Sequence, residues 1–152
     1  MTYMVWDPEP PTVDLRLLGD RERKIFYGPS QIRRPLWDLE AIQAALQRAP
    51  ALRVIFTEKA AFEMKTKLGW GKSDALQFLR CLTRGHYDCS EWCHAPKGNT
   101  PRQCDVYLMG FSKIQGVENP RLLPWVYIKF GFVGPEYQSL AVYSVHPEEY
   151  MR

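Results

Sequence analysis

At Gly85 the spacing of apolar residues changes, and that change dictates the fold class. Before it they recur every three or four residues; after it they alternate. Asp38 is a good helix N-cap, and Leu39, Ile42, Leu46 and Ala49 then follow at helical spacing until Pro50 stops the element. Val54-Ile55-Phe56 reads as a short apolar link. Thr57 suits the cap of a second helix, with Ala60, Ala61, Met64 and Leu68 on one face and Gly69 as its left-handed end. Ser73 suits the cap of a third, with Ala75, Phe78, Leu79 and Leu82 inward and Gly85 at its end.

Beyond Gly85 the residues from His86 to Trp92 suit a strand, and Pro96-Lys97-Gly98-Asn99 is turn chemistry. Cys104 to Met109 reads as another strand, followed by a loop with Gly116, Asn119 and Pro120. Trp125 to Phe132 carries the clearest alternation. Val126, Ile128, Phe130 and Phe132 take one face; Trp125, Tyr127 and Lys129 take the other. Gly134-Pro135 turns the chain, and Leu140, Val142, Ser144 and His146 then share a face of a last strand. Strands joined by turns this short pair antiparallel. The expectation is one α+β domain with helices packed on an antiparallel sheet.

The chain's 152 residues suit one domain, large enough to bury a core without staples. Residues 35–152 form the expected domain, and residues 1–34 an N-terminal extension. That extension is proline-rich, then basic, with Val13, Leu15 and Leu17 alternating and Ile25-Phe26-Tyr27 as a second apolar run. Strands or a flexible arm both fit it.

The net charge of +3 permits a polyanionic partner without demanding one. No segment has the length of a membrane span, and Met1 to Pro11 lacks the apolar core of a secretion signal. A cytoplasmic protein without a membrane partner is expected. Cys81, Cys89, Cys93 and Cys104 are accordingly read as free thiols. A zinc site built from Cys89, Cys93, His94 and Cys104 is the alternative, but only Cys89 and Cys93 have the spacing of a ligand pair. Walker loops, Rossmann glycine triplets, HExxH helices and Gly-x-Ser-x-Gly elbows are all missing from the sequence.

Trp125, Tyr127 and Lys129 are the most suggestive surface. Rings there can stack on unpaired bases beside a lysine that meets phosphate. Aromatics are equally common on ordinary sheets, so packing beneath helices is the plainer reading of the pattern. His86, His94 and His146 suit acid–base chemistry by residue type alone. Asp105 is either an acceptor in a site or a solvated strand end.

Pro35-Leu36-Trp37-Asp38-Leu39, Thr57-Glu58-Lys59-Ala60 through Leu68-Gly69, His86-Tyr87-Asp88-Cys89, Cys104-Asp105-Val106-Tyr107, Val126-Tyr127-Ile128-Lys129 and Ser144-Val145-His146 follow one another in order. That ordered set, over about residues 35–146, resembles the MqsR family of toxins. The resemblance implies a RelE-like fold and a toxin–antitoxin endoribonuclease that cuts messenger RNA without a metal or other cofactor, restrained by a cognate antitoxin. It implies Tyr127, Lys129 and His146 as catalytic residues, with His146 standing where the family has lysine. Gln103, Tyr107, Trp125, Arg84 and Arg102 are the expected RNA contacts. The match departs from the family at Asp88, where lysine is expected, and at Cys104, where glutamine is expected. A catalytically degenerate RNA- or protein-binding module of the same fold, with or without zinc, therefore stands as the alternative. A small oligomer is compatible with either.

Overall fold

A computed structural model describes residues 3–94, 100–134 and 138–148. The expected turn at Pro96-Lys97-Gly98-Asn99 and the Pro135 half of the Gly134-Pro135 turn lie outside these residues. The chain is mixed α+β. Its helices are α1 (Asp20–Arg23), α2 (Leu39–Gln47), α3 (Glu58–Glu63) and α4 (Lys72–Cys81), and its strands are β1 (Lys24–Ile25), β2 (Arg53–Phe56), β3 (Tyr87–His94), β4 (Pro101–Met109), β5 (Phe111–Ser112), β6 (Val117–Glu118), β7 (Val126–Val133) and β8 (Ser139–Pro147).

The capping residues do what the sequence suggests at two helices. Asp38 Oδ1 accepts from the Ala41 amide at 3.1 Å, and Thr57 Oγ1 accepts from the Ala60 amide at 3.1 Å. The third helix differs. It starts at Lys72 rather than after Ser73, because Asp74 reaches back to accept from the Gly71 amide at 2.9 Å. It also ends at Cys81, four residues short of Gly85, which lies in a 3-10 turn. Gly69 takes the left-handed conformation, φ 67°, after a π-type turn over Met64–Leu68.

Six strands form one sheet in the order β1-β3-β4-β7-β8-β2, and β5 pairs with β6 in a separate ribbon. The sheet is mixed rather than wholly antiparallel. Val54-Ile55-Phe56 is not a link but most of β2, which lies parallel to β8 with Ile55 opposite Ala141. Between β2 and β8 the chain runs through α3, α4 and strands β3 to β7, far more than the dozen residues a parallel pair needs. Past the end of β2, α3 takes over the edge of β8. The buried Glu63 carboxylate accepts from Ser144 Oγ at 2.7 Å and from the Val145 amide at 3.2 Å, so the strand's backbone is satisfied without a neighbouring strand.

One face of the sheet is covered. Val126, Ile128, Phe130 and Phe132 of β7 and Leu140, Val142 and Val145 of β8 are buried with Ile42, Leu46, Phe78 and Leu79 of the helices. The N-terminal segment joins this layer. Tyr3 stacks on Phe132 with ring centroids 4.6 Å apart, Leu15 and Ile25 are buried, and Lys24-Ile25 pairs with Glu91 and Ser90 at the sheet edge. Leu15 to Leu17 is a 3-10 turn rather than a strand. Asp105 locks the Pro35–Asp38 stretch down: its carboxylate accepts from the Leu36 and Trp37 amides, both at 3.0 Å, and from Ser90 Oγ at 2.6 Å. Burial nonetheless pushes the Asp105 carboxyl up to about 6, against the downward pull of those three donors.

Candidate active site on the sheet face away from the helices

The face of the sheet away from the helices mixes polar side chains with buried apolar ones, among them Val106, Leu108, Ala141 and Tyr143. Alternation in β7 sends Tyr127 and Lys129 there, opposite the buried Val126, Ile128 and Phe130. His146 joins them only because β8 is irregular. Phe130 pairs with Val142 but Lys129 pairs with Ser144, so the strand gains one residue at this point. The bulge reverses the phase of everything after it. Leu140 and Val142 face the helices as the alternation predicts, then Val145 does, and His146 turns to the other face. The sequence expectation that His146 shares a face with Leu140 and Val142 is corrected by this one extra residue.

His146 lies directly opposite Tyr127, ring centroids 4.5 Å apart and planes 17° from parallel. Its Nδ1 lies 2.7 Å from the Pro147 carbonyl oxygen. A carbonyl only accepts, so Nδ1 carries a hydrogen and the neutral ring presents Nε2 as a lone pair. Burial raises the Tyr127 hydroxyl pKa well above its ordinary value, and the charge of Glu91 adds to this. Tyr127 therefore keeps its proton and acts as a donor.

Lys129 is held by Glu91, Nζ to Oε1 at 2.8 Å, and Glu91 is held from the far side by Lys24, Nζ to Oε2 at 2.9 Å. The ammonium of Lys24 also lies 3.2 Å from Cys89 Sγ. Burial pushes the Glu91 carboxyl up, but the charge and hydrogen bonds of Lys129 and Lys24 outweigh it and set it below its ordinary range. Burial pulls Lys24 down while Glu91 and Cys89 raise it, and the net is upward. For Cys89 burial wins over the neighbouring lysine, and its thiol is pushed up to about 11. It is thus a protonated, weakly nucleophilic sulfur at neutral pH. This chain of two cations on one carboxylate spans β1, β3 and β7 and carries a net positive charge. Glu91 was not identified from the sequence, and Lys24 stood out only as one of the basic residues of the N-terminal extension. The only local signal for Glu91 is that it lies between the buried Ser90 and Trp92, and Lys24, after the half-buried Arg23, has none.

The other expected residues divide between the faces. Arg102 of β4 lies opposite Cys93, on the same face as Lys129 but further along the strands. Trp125 is half-buried just before β7, its Nε1 donating to the Pro120 carbonyl at 3.0 Å. Tyr107, Gln103 and Arg84 are elsewhere. Tyr107 stacks on Phe130 on the helix side, Gln103 Nε2 donates to Asp7 at 2.6 Å, and Arg84 pairs with Glu40 at 2.9 Å. Asp88 is the bulged residue of β3, between Tyr87 opposite Tyr107 and Cys89 opposite Val106.

The cysteines are not all free thiols. Cys93 and Cys104 are joined by a disulfide, with Cα atoms 6.7 Å apart. Register explains the pairing: Cys104 is opposite Glu91, so Cys93 is its diagonal neighbour on the same face. Two of the four candidate zinc ligands are thereby committed to each other, and among the described residues no three His, Cys, Asp or Glu side chains come together as a metal site. Among the described residues, no helix is long and apolar enough to cross a membrane.

Comparison with known proteins adds no relative: no family model, no curated protein and no solved structure matches this chain.

Proposed function

We propose that this chain is a RelE-like, toxin-type endoribonuclease that cleaves messenger RNA at the sheet face away from the helices, restrained by a protein antitoxin. The observation that carries the proposal is the convergence of Tyr127, Lys129 and His146, three residue types suited to phosphodiester cleavage, on adjoining strands. Helices cover the opposite face, and on this one the three residues lie beside a smaller buried cluster of Cys93, Cys104, Ala141 and Tyr143.

The chemistry needs no group beyond the chain and the RNA. His146 Nε2 accepts the ribose 2′-hydroxyl proton as that oxygen bonds to the adjacent phosphorus. Lys129 and the Tyr127 hydroxyl donate to the phosphorane oxygens as charge builds on them. The bond from phosphorus to the 5′-oxygen breaks, and the Lys129 ammonium gives that oxygen a proton. The products are a 2′,3′-cyclic phosphate and a 5′-hydroxyl; solvent takes the proton from His146 and restores that of Lys129. Glu91 acts through Lys129, fixing where its ammonium sits.

The test is incubation of purified protein with a long messenger RNA in excess EDTA, with new ends mapped and their chemistry typed. Discrete 5′-hydroxyl ends are expected. RNA that is bound but left intact would replace the enzyme by a binding module. The two-to-one lysine–glutamate cluster gives that reading its own support, since it attracts phosphate whether or not chemistry follows.

A further inference from the structure

Helix α3 lies along the edge of β8, level with the Tyr127–Lys129–His146 face. Its Glu63 carboxylate accepts from Ser144 Oγ at 2.7 Å and from the Val145 amide at 3.2 Å, and these are the two residues before His146. Ser144 is also the cross-strand partner of Lys129. These contacts fix which way the rest of the helix faces. Successive residues turn about 100° round a helix axis, and Met64 still has helical dihedral angles. Ala60 and Met64 are buried in the core on the helix side of the sheet. One step back from Met64, Glu63 points at the β8 edge. A further step in the same sense carries Phe62 past that edge, to the side of the sheet that holds Tyr127 and His146. Lys59, one turn earlier, lies between the directions of Glu63 and Phe62 and so projects to the same side.

Phe62 is 65% exposed, between the buried Ala60 and Met64. An exposed phenylalanine alone carries no meaning, because scattered apolar residues are ordinary on surfaces. Its position gives it one. Tyr127 and His146 already stack with ring centroids 4.5 Å apart, and Phe62 sets a third ring beyond them at the β8 edge. Lys59 is exposed as well and adds a cation beside that ring. Rings for bases with cations for phosphates are what a single strand of nucleic acid binds, and a stacked base is accepted whatever its identity. Glu63 keeps this rim in register with the sheet by holding α3 to the residues that precede His146.

We infer that Phe62 and Lys59 form a subsite for one nucleotide flanking the scissile phosphate of single-stranded RNA. Its base stacks on Phe62 and its phosphate meets Lys59. The inference rests on the ribonuclease reading for the cleaved bond, and it runs the RNA across β7, β8 and α3 rather than along the strands.

Binding and cleavage are measured separately. A short 2′-O-methyl RNA, which lacks the attacking hydroxyl, reports affinity by fluorescence anisotropy, and unmodified RNA of the same sequence reports kcat and KM. Phe62→Ala is expected to weaken binding and raise KM about tenfold, the scale of one stacked base, with kcat within about twofold of wild type. Phe62→Trp restores both, and Lys59→Gln weakens binding several-fold with a shallower salt dependence. Because both side chains are exposed, the variants melt with wild type. Abasic substitutions along the oligonucleotide locate the base: at one position the loss costs wild type about tenfold and Phe62→Ala nothing. Unchanged affinity and KM in Phe62→Ala, with wild type cleaving, overturns the subsite and leaves the ribonuclease standing. A changed oligomeric state with unchanged RNA affinity overturns it in favour of a protein contact at Phe62. Binding that depends on Phe62 without any cleavage supports the base platform and removes the ribonuclease.

Discussion

Tyr127 and His146 face each other across β7 and β8 with their rings stacked at 4.5 Å, and they do so because β8 carries one extra residue between Val142 and Ser144. Remove that irregularity and His146 points into the layer of Ile128 and Val145. A bulge that converts a core-facing position into a surface one beside a lysine is the kind of local irregularity that strands keep near sites.

If the pair does chemistry, its two members have separable effects. His146→Ala removes the proton acceptor and is expected to lower RNA cleavage at least 100-fold, the usual scale of a general base. Tyr127→Phe keeps the stacked ring and loses one donor, so a loss of about tenfold is expected. Both variants should melt within a few degrees of wild type. Cleavage by either variant at the wild-type rate removes that residue from the mechanism.

Glu91 gives a sharper test because its effect on binding and on chemistry has opposite sign. Glu91→Gln releases two ammonium groups from their shared carboxylate. RNA affinity should rise several-fold, with a steeper fall as salt is added, since more phosphate contacts become available. The cleavage rate of bound RNA should fall about tenfold, because Lys129 loses the partner that fixes it. A Glu91→Gln protein with unchanged salt dependence would show that the lysines do not meet phosphate at all.

How much of this was legible in the residues depends on range. The helix caps at Asp38 and Thr57 act over three residues, and the partition of Val126, Ile128 and Phe130 from Tyr127 and Lys129 needs only the strand period. The sequence therefore shows both. The Lys24–Glu91–Lys129 chain joins residues 67 and 38 positions apart, and no local pattern announces it. The Cys93–Cys104 bond follows from the β3–β4 register, and Val54-Ile55-Phe56 became a strand because β8 offered it an edge. The bulge at Tyr143 is hidden for a related reason. Leu140, Val142, Ser144 and His146 alternate acceptably, and only the pairing with β7 shows where the count slips.

Asp105 makes a prediction about pH. Its folded pKa, about 6, lies above the ordinary value of 3.8. Between those values the folded protein holds more protons than the unfolded chain, so stability falls as pH rises through this window and is flat above it. The Asp105 contribution to that fall is on the order of 2–3 kcal/mol, taking about 1.4 kcal/mol for each pH unit. Urea unfolding at pH 4 and pH 7 should show it, and Asp105→Asn should remove that part of the slope. Asp105→Asn should also cost about 2–4 kcal/mol at pH 7, since its amide group cannot accept from both the Leu36 and Trp37 amides. Stability that instead rises between pH 4 and pH 6 by the same amount in both proteins would show that Asp105 is not the group responsible.

Gly131 tests the packing beneath the site rather than its chemistry. It lies in β7 one residue beyond Phe130, opposite Ala141, on the face that carries Lys129 and Tyr127. A Cβ there would run into the Gln103 carbonyl oxygen of β4 and come within 3.6 Å of Cys104 Sγ. The contact is with backbone, which cannot swing aside, so β4 and β7 would have to part. Overpacking of this kind costs about 1–3 kcal/mol. Gly131→Ala should therefore lower the urea midpoint clearly, and Gly131→Val should lower it further. The displacement falls between Glu91 on β3 and Lys129 on β7, so RNA cleavage should drop in Gly131→Ala even at temperatures where the protein is fully folded. A Gly131→Ala protein as stable and as active as wild type would mean that β4 and β7 are spaced more widely at this point than the structure has them.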